Sequence, residues 1–305
     1  MPSITLTVPA DFQLARDACS YGYISLAPNR WDVREHSFSR PLLLHDRICS
    51  VRITQPRKHL KVELSRSLRP RELSELNSQI CRMLRLDMTT AMVKEFHAID
   101  PRWGKSGRAR LVRSPTLFED VLKTVMSCNV TWAGTVGMSR RMCEVLGEGE
   151  LENRTFPSPQ SIAARRPAFL RTRCRLGYRD ERIVQLAKLW KRGSIDETWL
   201  HNPATPDAAI HEYLIELPGI GPYAAANIMQ LLGRYARLPC DTETVRHGRT
   251  VLSFKGNSAS VSRQVRQHFA PFGQWQFLSY WLELWSMYEK SRGPAWLWEE
   301  ENRPP

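Results

Sequence analysis

Two neighbouring stretches contain residues whose types and spacing suit chemistry: Leu217-Pro218-Gly219-Ile220-Gly221-Pro222-Tyr223, and then Leu238-Pro239-Cys240-Asp241. The first reads as a hairpin between two helices. The second delivers one carboxylate to the start of a third helix. Gly219 and Gly221 lack a Cβ and tolerate positive φ, so backbone amides there can approach a phosphate closely. The helix beginning near Tyr223 adds the positive end of its dipole at the same spot. Such a hairpin grips a nucleic-acid backbone without reading bases. A carboxylate arriving twenty residues after Gly221 turns that anchor into a candidate active site. Asp241 also suits the plainer role of helix N-cap, and one residue can fill both roles.

Positioning these residues falls to a chain of 305 residues, long enough for one multi-lobed protein or two to three small domains. Up to about residue 80, short runs with partial alternation read as strands: Thr5–Val8, Leu42–Leu44, Ile48–Ile53 and Leu60–Leu64. Residues 11–20 read as a helix capped by Asp11. From Arg71 onward the spacing turns helical, as in Leu73, Leu76, Ile80, Cys81, Leu84 and Leu86, and again in Leu117, Val121, Leu122, Val125 and Met126. Further helices are predicted over 137–146, 183–191, 208–216, 223–232 and 274–288, with Pro/Ser/Gly-rich loops between many of them. The expected units are an α+β domain at 1–80, a helical core at 81–290 and an extended tail at 291–305 carrying the acidic cluster Glu299-Glu300-Glu301.

Lys and Arg outnumber Asp and Glu by 44 to 31, a formal charge of +13, so a polyanionic partner is expected. A membrane surface is an unsuitable one, because the chain has neither a long apolar run nor a long basic amphipathic helix. Met1-Pro2-Ser3-Ile4-Thr5 has no secretory-signal character. The seven cysteines are scattered without a CxxC pair, which reads as a reducing compartment, bacterial cytoplasm or nucleus. No set of His, Cys and carboxylates has metal-ligand spacing, and His211, His247 and His268 are singletons.

The paired motifs resemble those of the helix-hairpin-helix, Gly/Pro-rich loop, Asp superfamily of DNA glycosylases. The resemblance covers about residues 90–290 and is weaker before that. In layout it is nearest to the 8-oxoguanine and bacterial 3-methyladenine glycosylase II branches, with an N-terminal antiparallel sheet domain followed by a two-lobed, all-helical core. It implies that Asp241 is catalytic. A carboxylate near C1′ stabilises the oxocarbenium-like sugar as the base departs and helps to position or deprotonate water. Glu243 is either a second carboxylate for that task or, the preferred reading, a first-turn helix acid favoured by the dipole. Bifunctional members attack C1′ with a lysine at the place of Tyr223, and a phenol makes no Schiff base. No lysine occurs from Gly193 to Phe254, so water is the implied nucleophile and no AP-lyase step is expected. Several relatives carry an iron–sulfur cluster on four cysteines after the Asp. No cysteine follows Cys240 here, so no cluster is expected, which argues against the endonuclease III and adenine-glycosylase branches.

The resemblance extends to segments that fill the space left by an extruded base. One is Ser127-Cys128-Asn129-Val130-Thr131-Trp132, with Asn129 at the hole-filling asparagine. The other comprises Phe156-Pro157-Ser158-Pro159-Gln160 and the stretch containing Leu176-Gly177-Tyr178-Arg179, where Tyr178 would wedge into the stack and Arg179 would touch the estranged base. Core packing and a solvated charge are the plainer roles of those two. The second cytosine-reading arginine of the 8-oxoguanine branch is replaced by Gly134. The two base-reading places on the last helix hold Phe277 and Trp281, which with Tyr223 make an aromatic substrate pocket suited to electron-poor or cationic bases such as alkylated purines. In relatives the hairpin carbonyls hold a monovalent cation, and the matching ones belong to Ile215, Leu217 and Ile220. The expected function is therefore a monofunctional DNA glycosylase in base excision repair, acting as a monomer on double-stranded DNA with a damaged or modified base, and with no required cofactor beyond a structural cation. The alternatives are a catalytically inactive DNA-binding protein on the same scaffold, which would have no need of Asp241, and a lyase acting through another lysine such as Lys188 or Lys191.

Overall fold

A computed structural model of the chain describes residues 1–150 and 153–299. Strands β1 (Ser3–Thr7), β2 (Arg30–Asp32), β3 (Ser37–Leu44), β4 (Arg47–Thr54) and β5 (His59–Leu64) form one antiparallel sheet in the order β1-β5-β4-β3-β2. Alternation sets the inner face. Cys49, Val51 and Ile53 of β4 and Leu60, Val62 and Leu64 of β5 are buried, while their neighbours are more open. The strands read from the sequence fall within or overlap four of these elements. The fifth, β2, has only three residues, too few for alternation to show, and is held as an edge strand by the buried Trp31 and by pairing with β3.

Thirteen further helices follow α1 (Leu14–Ala18) among the described residues: α2 (Pro70–Met83), α3 (Thr90–Ile99), α4 (Leu117–Ser127), α5 (Trp132–Leu146), α6 (Pro159–Ala163), α7 (Pro167–Arg173), α8 (Asp180–Lys191), α9 (Glu197–His201), α10 (Asp207–Glu216), α11 (Pro222–Leu231), α12 (Thr242–Thr250), α13 (Ser258–Phe269) and α14 (Gln276–Arg292). The expected α+β class with a helical remainder holds. Helix α1 is shorter than expected and Asp11 does not cap it. The Asp11 carboxylate instead accepts from Thr90 Oγ1 at 2.6 Å and Arg110 Nη1 at 2.5 Å.

The packing does not follow the expected unit boundaries. One core joins the sheet, α2 and α3 to α13, α14 and the turn after it. The other is built from residues 117–232, with α4 and α11 at its centre. The chain thus starts in one lobe, builds the second, and returns to the first just before Asp241. A boundary at residue 80 divides secondary structure but not the core. The buried Arg40 of β3 reaches α4 to pair with Glu119 at 2.9 Å, and Glu119 also takes Lys123 at 2.6 Å, so three buried charges satisfy one another where the sheet meets the second lobe.

The expected extended tail is also corrected over its described part. Helix α14 continues to Arg292, and residues 295–297 form a 3-10 turn. Trp298 is buried with its ring 5.3 Å from that of Trp285, and Trp31 Nε1 donates to the Trp296 carbonyl at 2.9 Å. Burial of these indoles outweighs the turn-forming Pro294 that made the segment read as loose. Glu300 and Glu301 lie outside the described residues.

Candidate active site

The hairpin forms as its residues dictate. Helix α10 ends at Glu216, the Ile220 N–H donates to the Leu217 carbonyl at 3.1 Å, and Pro222 opens α11 at its first position, where a missing N–H costs nothing. Gly219 has φ 79°, which favours glycine. Gly221 differs from expectation. It caps α11 with φ −96° and ψ −178°, extended backbone open to any residue, and a Cβ there would meet nothing within 4 Å. The fold therefore does not require glycine at 221, which leaves open space beside the start of α11.

Asp241 is the N-cap of α12. Its Oδ1 accepts from the Thr244 amide at 2.9 Å and lies 3.1 Å from Thr244 Oγ1, while its own N–H donates to that hydroxyl at 3.2 Å. Thr244 Oγ1 is in turn 3.0 Å from the Tyr280 hydroxyl. One carboxylate oxygen is thus committed to the helix. The other, Oδ2, accepts from the Tyr223 hydroxyl at 3.2 Å. Burial, and then the charge of Asp241, push the Tyr223 phenol far above its ordinary pKa, so it stays a donor to the carboxylate.

Two concavities meet at Asp241. A groove of about 950 Å³ is lined by the hairpin from Leu217 to Tyr223, by residues 127–131, and by Tyr178, Arg179 and Arg182. A pocket of about 250 Å³ runs behind it between the lobes, and Asp241, Thr242 and Tyr223 line both. The residues expected in the pocket, Tyr223, Phe277 and Trp281, all line it. Trp281 packs with Tyr21 edge-on at 4.6 Å and Phe277 stacked at 6.2 Å, and its Nε1 donates to the Ser20 carbonyl at 2.9 Å. Phe277 is almost wholly buried, so it backs Trp281 rather than presenting a face. Sequence reasoning missed Tyr21, Trp132, Tyr280 and Tyr288 in this pocket. The recurrence of Trp281, Leu284 and Tyr288 at helical spacing marks one face of α14 and could have found Tyr288. Nothing local marks Tyr21, which arrives from the other end of the chain.

At the far side of the groove, Asn129 has φ 51° and its Nδ2 donates to the Tyr178 hydroxyl at 3.2 Å. Tyr178 is 49% exposed, which excludes core packing in this structure. Its ring lies under two guanidinium groups, Arg179 at 4.5 Å and Arg182 at 5.3 Å. Arg179 departs from expectation. It is buried, and its Nη2 donates to the carbonyls of Cys128 and, at 3.3 Å, Asn129. In this structure it holds the Asn129 loop and offers no free edge to a base. The exposed cation of this face is Arg182, which lies against Gly219 and was missed because a lone arginine on α8 carries no signal in the sequence. The Phe156–Gln160 stretch is not part of the groove. It lines a separate cavity with Arg40, Phe118 and Trp190.

The hairpin carbonyls of Ile215, Leu217 and Ile220 are hard oxygen donors suited to a monovalent cation, and the Leu217 oxygen already accepts the Ile220 N–H. Among the described residues there is no cluster of His, Cys, Asp and Glu fit to hold a metal ion, and no helix is long and apolar enough to cross a membrane.

No protein-family profile and no curated protein matches the chain. Solved structures do. A structure of MBOgg1 in complex with a low-affinity DNA ligand superposes with TM-score 0.72 and 18% identity, covering 95% of this chain and 96% of that one. The apo 8-oxoguanine glycosylase/lyase of Clostridium acetobutylicum gives 0.69 at 15% identity, covering 93% and 96%. The 3-methyladenine DNA glycosylase of Archaeoglobus fulgidus gives 0.67 at 19%, covering 94% and 99%. Over nearly its whole length, this chain has the fold of the 8-oxoguanine and 3-methyladenine DNA glycosylases.

Proposed function

We propose that the protein is a monofunctional DNA glycosylase that hydrolyses the N-glycosidic bond of a damaged or modified base flipped out of duplex DNA. The observation that carries this reading is that Asp241 lines both the aromatic pocket and the groove that the hairpin lines. The hairpin amides and the start of α11 take a backbone phosphate. The extruded base enters the pocket against the wall that Tyr21, Trp281 and Trp132 help to line, which brings its C1′ toward Asp241. As the glycosidic bond breaks, its electron pair leaves with the base and the sugar becomes cationic. Oδ2 of Asp241 faces that charge, orients a water and takes its proton as the water oxygen adds to C1′. Tyr178 and Asn129 fill the vacated stack and offset part of the unpairing cost.

Tyr223 supports water as the nucleophile, because it holds the place of the lysine in bifunctional relatives and its hydroxyl is bonded to Asp241. No lysine lines the groove or the pocket, and Lys188 and Lys191 of α8 are exposed away from both. The test is a panel of duplexes with single modified bases, including alkylated purines, 8-oxoguanine, hypoxanthine, uracil and mismatched thymine. Abasic sites should form on at least one, and borohydride added during reaction should trap no protein–DNA adduct. A trapped adduct overturns the monofunctional reading. The hairpin carbonyls would add a bridging monovalent cation, in which case duplex affinity is higher in potassium or sodium than in tetramethylammonium chloride at equal ionic strength.

A further inference from the structure

The pocket contains a second carboxylate for which the proposed hydrolysis has no use. Glu243 sits in the first turn of α12 and lines the pocket two residues beyond Asp241. It is gripped from two helices. The Tyr288 hydroxyl, from α14, donates to Oε2 at 2.6 Å, and Arg246 donates to the same oxygen through Nη2 at 2.6 Å and Nε at 3.0 Å. Arg246 Nη2 also donates to the Tyr288 hydroxyl at 2.8 Å, which closes the triad. Oε1 takes only a 3.2 Å contact from Arg246 Nε and keeps acceptor capacity. Burial disfavours the charge, but the bonds from Arg246 and Tyr288 outweigh it and hold Glu243 below the ordinary carboxylate range.

An acid placed merely to suit the helix dipole would have no need of a bond from α14. The lining of the pocket is equally informative. Its two carboxylates are Asp241 and Glu243, no Lys, Arg or His lines it, and eight aromatic rings stand among the other lining residues. Such a wall attracts a cation or an edge rich in N–H donors and disfavours a carbonyl edge.

We propose that Glu243, oriented by Tyr288 and Arg246, is the specificity-determining acceptor of the pocket, selecting bases that carry a positive charge or an N–H donor edge over neutral bases that present a carbonyl there. This rests on the pocket being the base site, so its test has one arm that is independent of catalysis. In that arm, tryptophan fluorescence of the full chain is titrated with cationic 1-methyladenosine and neutral adenosine. The wild type should bind the cation at least about tenfold more tightly, the worth of one hydrogen bond to a charged group. Glu243→Gln should lose most of that preference. Tyr288→Phe, which keeps the ring but releases the carboxylate, should lose part of it, and thermal melts establish that each variant folds. In the second arm, the ratio of 7-methylguanine to hypoxanthine release under single-turnover conditions should fall about tenfold in Glu243→Gln. Equal binding of the two nucleosides by the wild type, or an unchanged preference in folded Glu243→Gln and Tyr288→Phe, overturns the assignment. Preferential binding of the cation without excision of any base leaves Glu243 in place and overturns the glycosylase reading instead.

Discussion

Replacing Asp241 by Asn separates the proposed catalytic charge from the structural cap, and the geometry sets the size of each effect. Oδ1 accepts the Thr244 amide at 2.9 Å, and an Asn oxygen does the same, since Asn and Asp are comparable N-caps. The Asn amide can face Tyr223 in place of Oδ2, with the phenol turning from donor to acceptor. What disappears is the charge at the start of α12, worth about 0.3–1 kcal/mol to the helix. The folding cost should therefore stay below about 1 kcal/mol. The catalytic loss is larger, because the charge facing the oxocarbenium ion is gone. Removing such an electrostatic group costs roughly a hundredfold to a thousandfold, or about 2.7–4 kcal/mol. Asp241→Ala should differ by also losing the cap, at about 1 kcal/mol, and by leaving Tyr223 without its acceptor. The assay is single-turnover base release beside duplex binding by fluorescence anisotropy and a thermal melt, on both variants. Asp241→Asn should bind duplex nearly as the wild type does and release base at least a hundredfold more slowly. Wild-type turnover by Asp241→Asn would refute the catalytic assignment and leave Asp241 as a cap.

The two hairpin glycines should part company. Gly219→Ala pays about 1–2 kcal/mol for a Cβ at φ 79°, besides a 2.7 Å contact with Arg182 Cδ, whereas Gly221→Ala should leave the fold untouched. Both should weaken binding to damaged and undamaged duplex alike, and a loss confined to damaged duplex in Gly221→Ala would show that the hairpin is not the phosphate anchor. Tyr178→Ala should slow excision strongly in duplex and mildly in single strand, and equal slowing would remove the wedge role. Arg179→Ala should lower the melting temperature, as loss of bonds to the 128–129 carbonyls costs about 1–3 kcal/mol, and should keep the wild-type ranking of opposite bases. A changed ranking would mean that this arginine leaves the loop to read a base.

Much of the site was legible because it is local. A hairpin between helices, a Pro at the first position of α11 and an Asp at the start of α12 follow from turn and cap chemistry acting over three or four residues. The same holds for the strand runs in β4 and β5, where alternation reports a single buried face. Local rules failed where two demands competed for one residue. Asp11 looked like a cap but was taken by Arg110 and Thr90, both about eighty or more residues away. Arg179 belonged to a motif that resembled a base contact, yet a loop with free carbonyls lies within its reach and claims the guanidinium first.

By itself the sequence determined the hairpin, the Asp that opens the helix after it, the absence of a lysine at position 223, and the α+β order of elements, since each depends on residues near one another along the chain. Only the tertiary structure decided which rings wall the pocket, that Glu243 is gripped by Tyr288, and that residues 295–298 fold onto the core. Tyr21 and Trp281 stand 260 positions apart yet touch at 4.6 Å. Their meeting depends on how the returning chain closes one lobe against the other, and burial of apolar area, which drives that closure, is non-directional and leaves no local spacing to read.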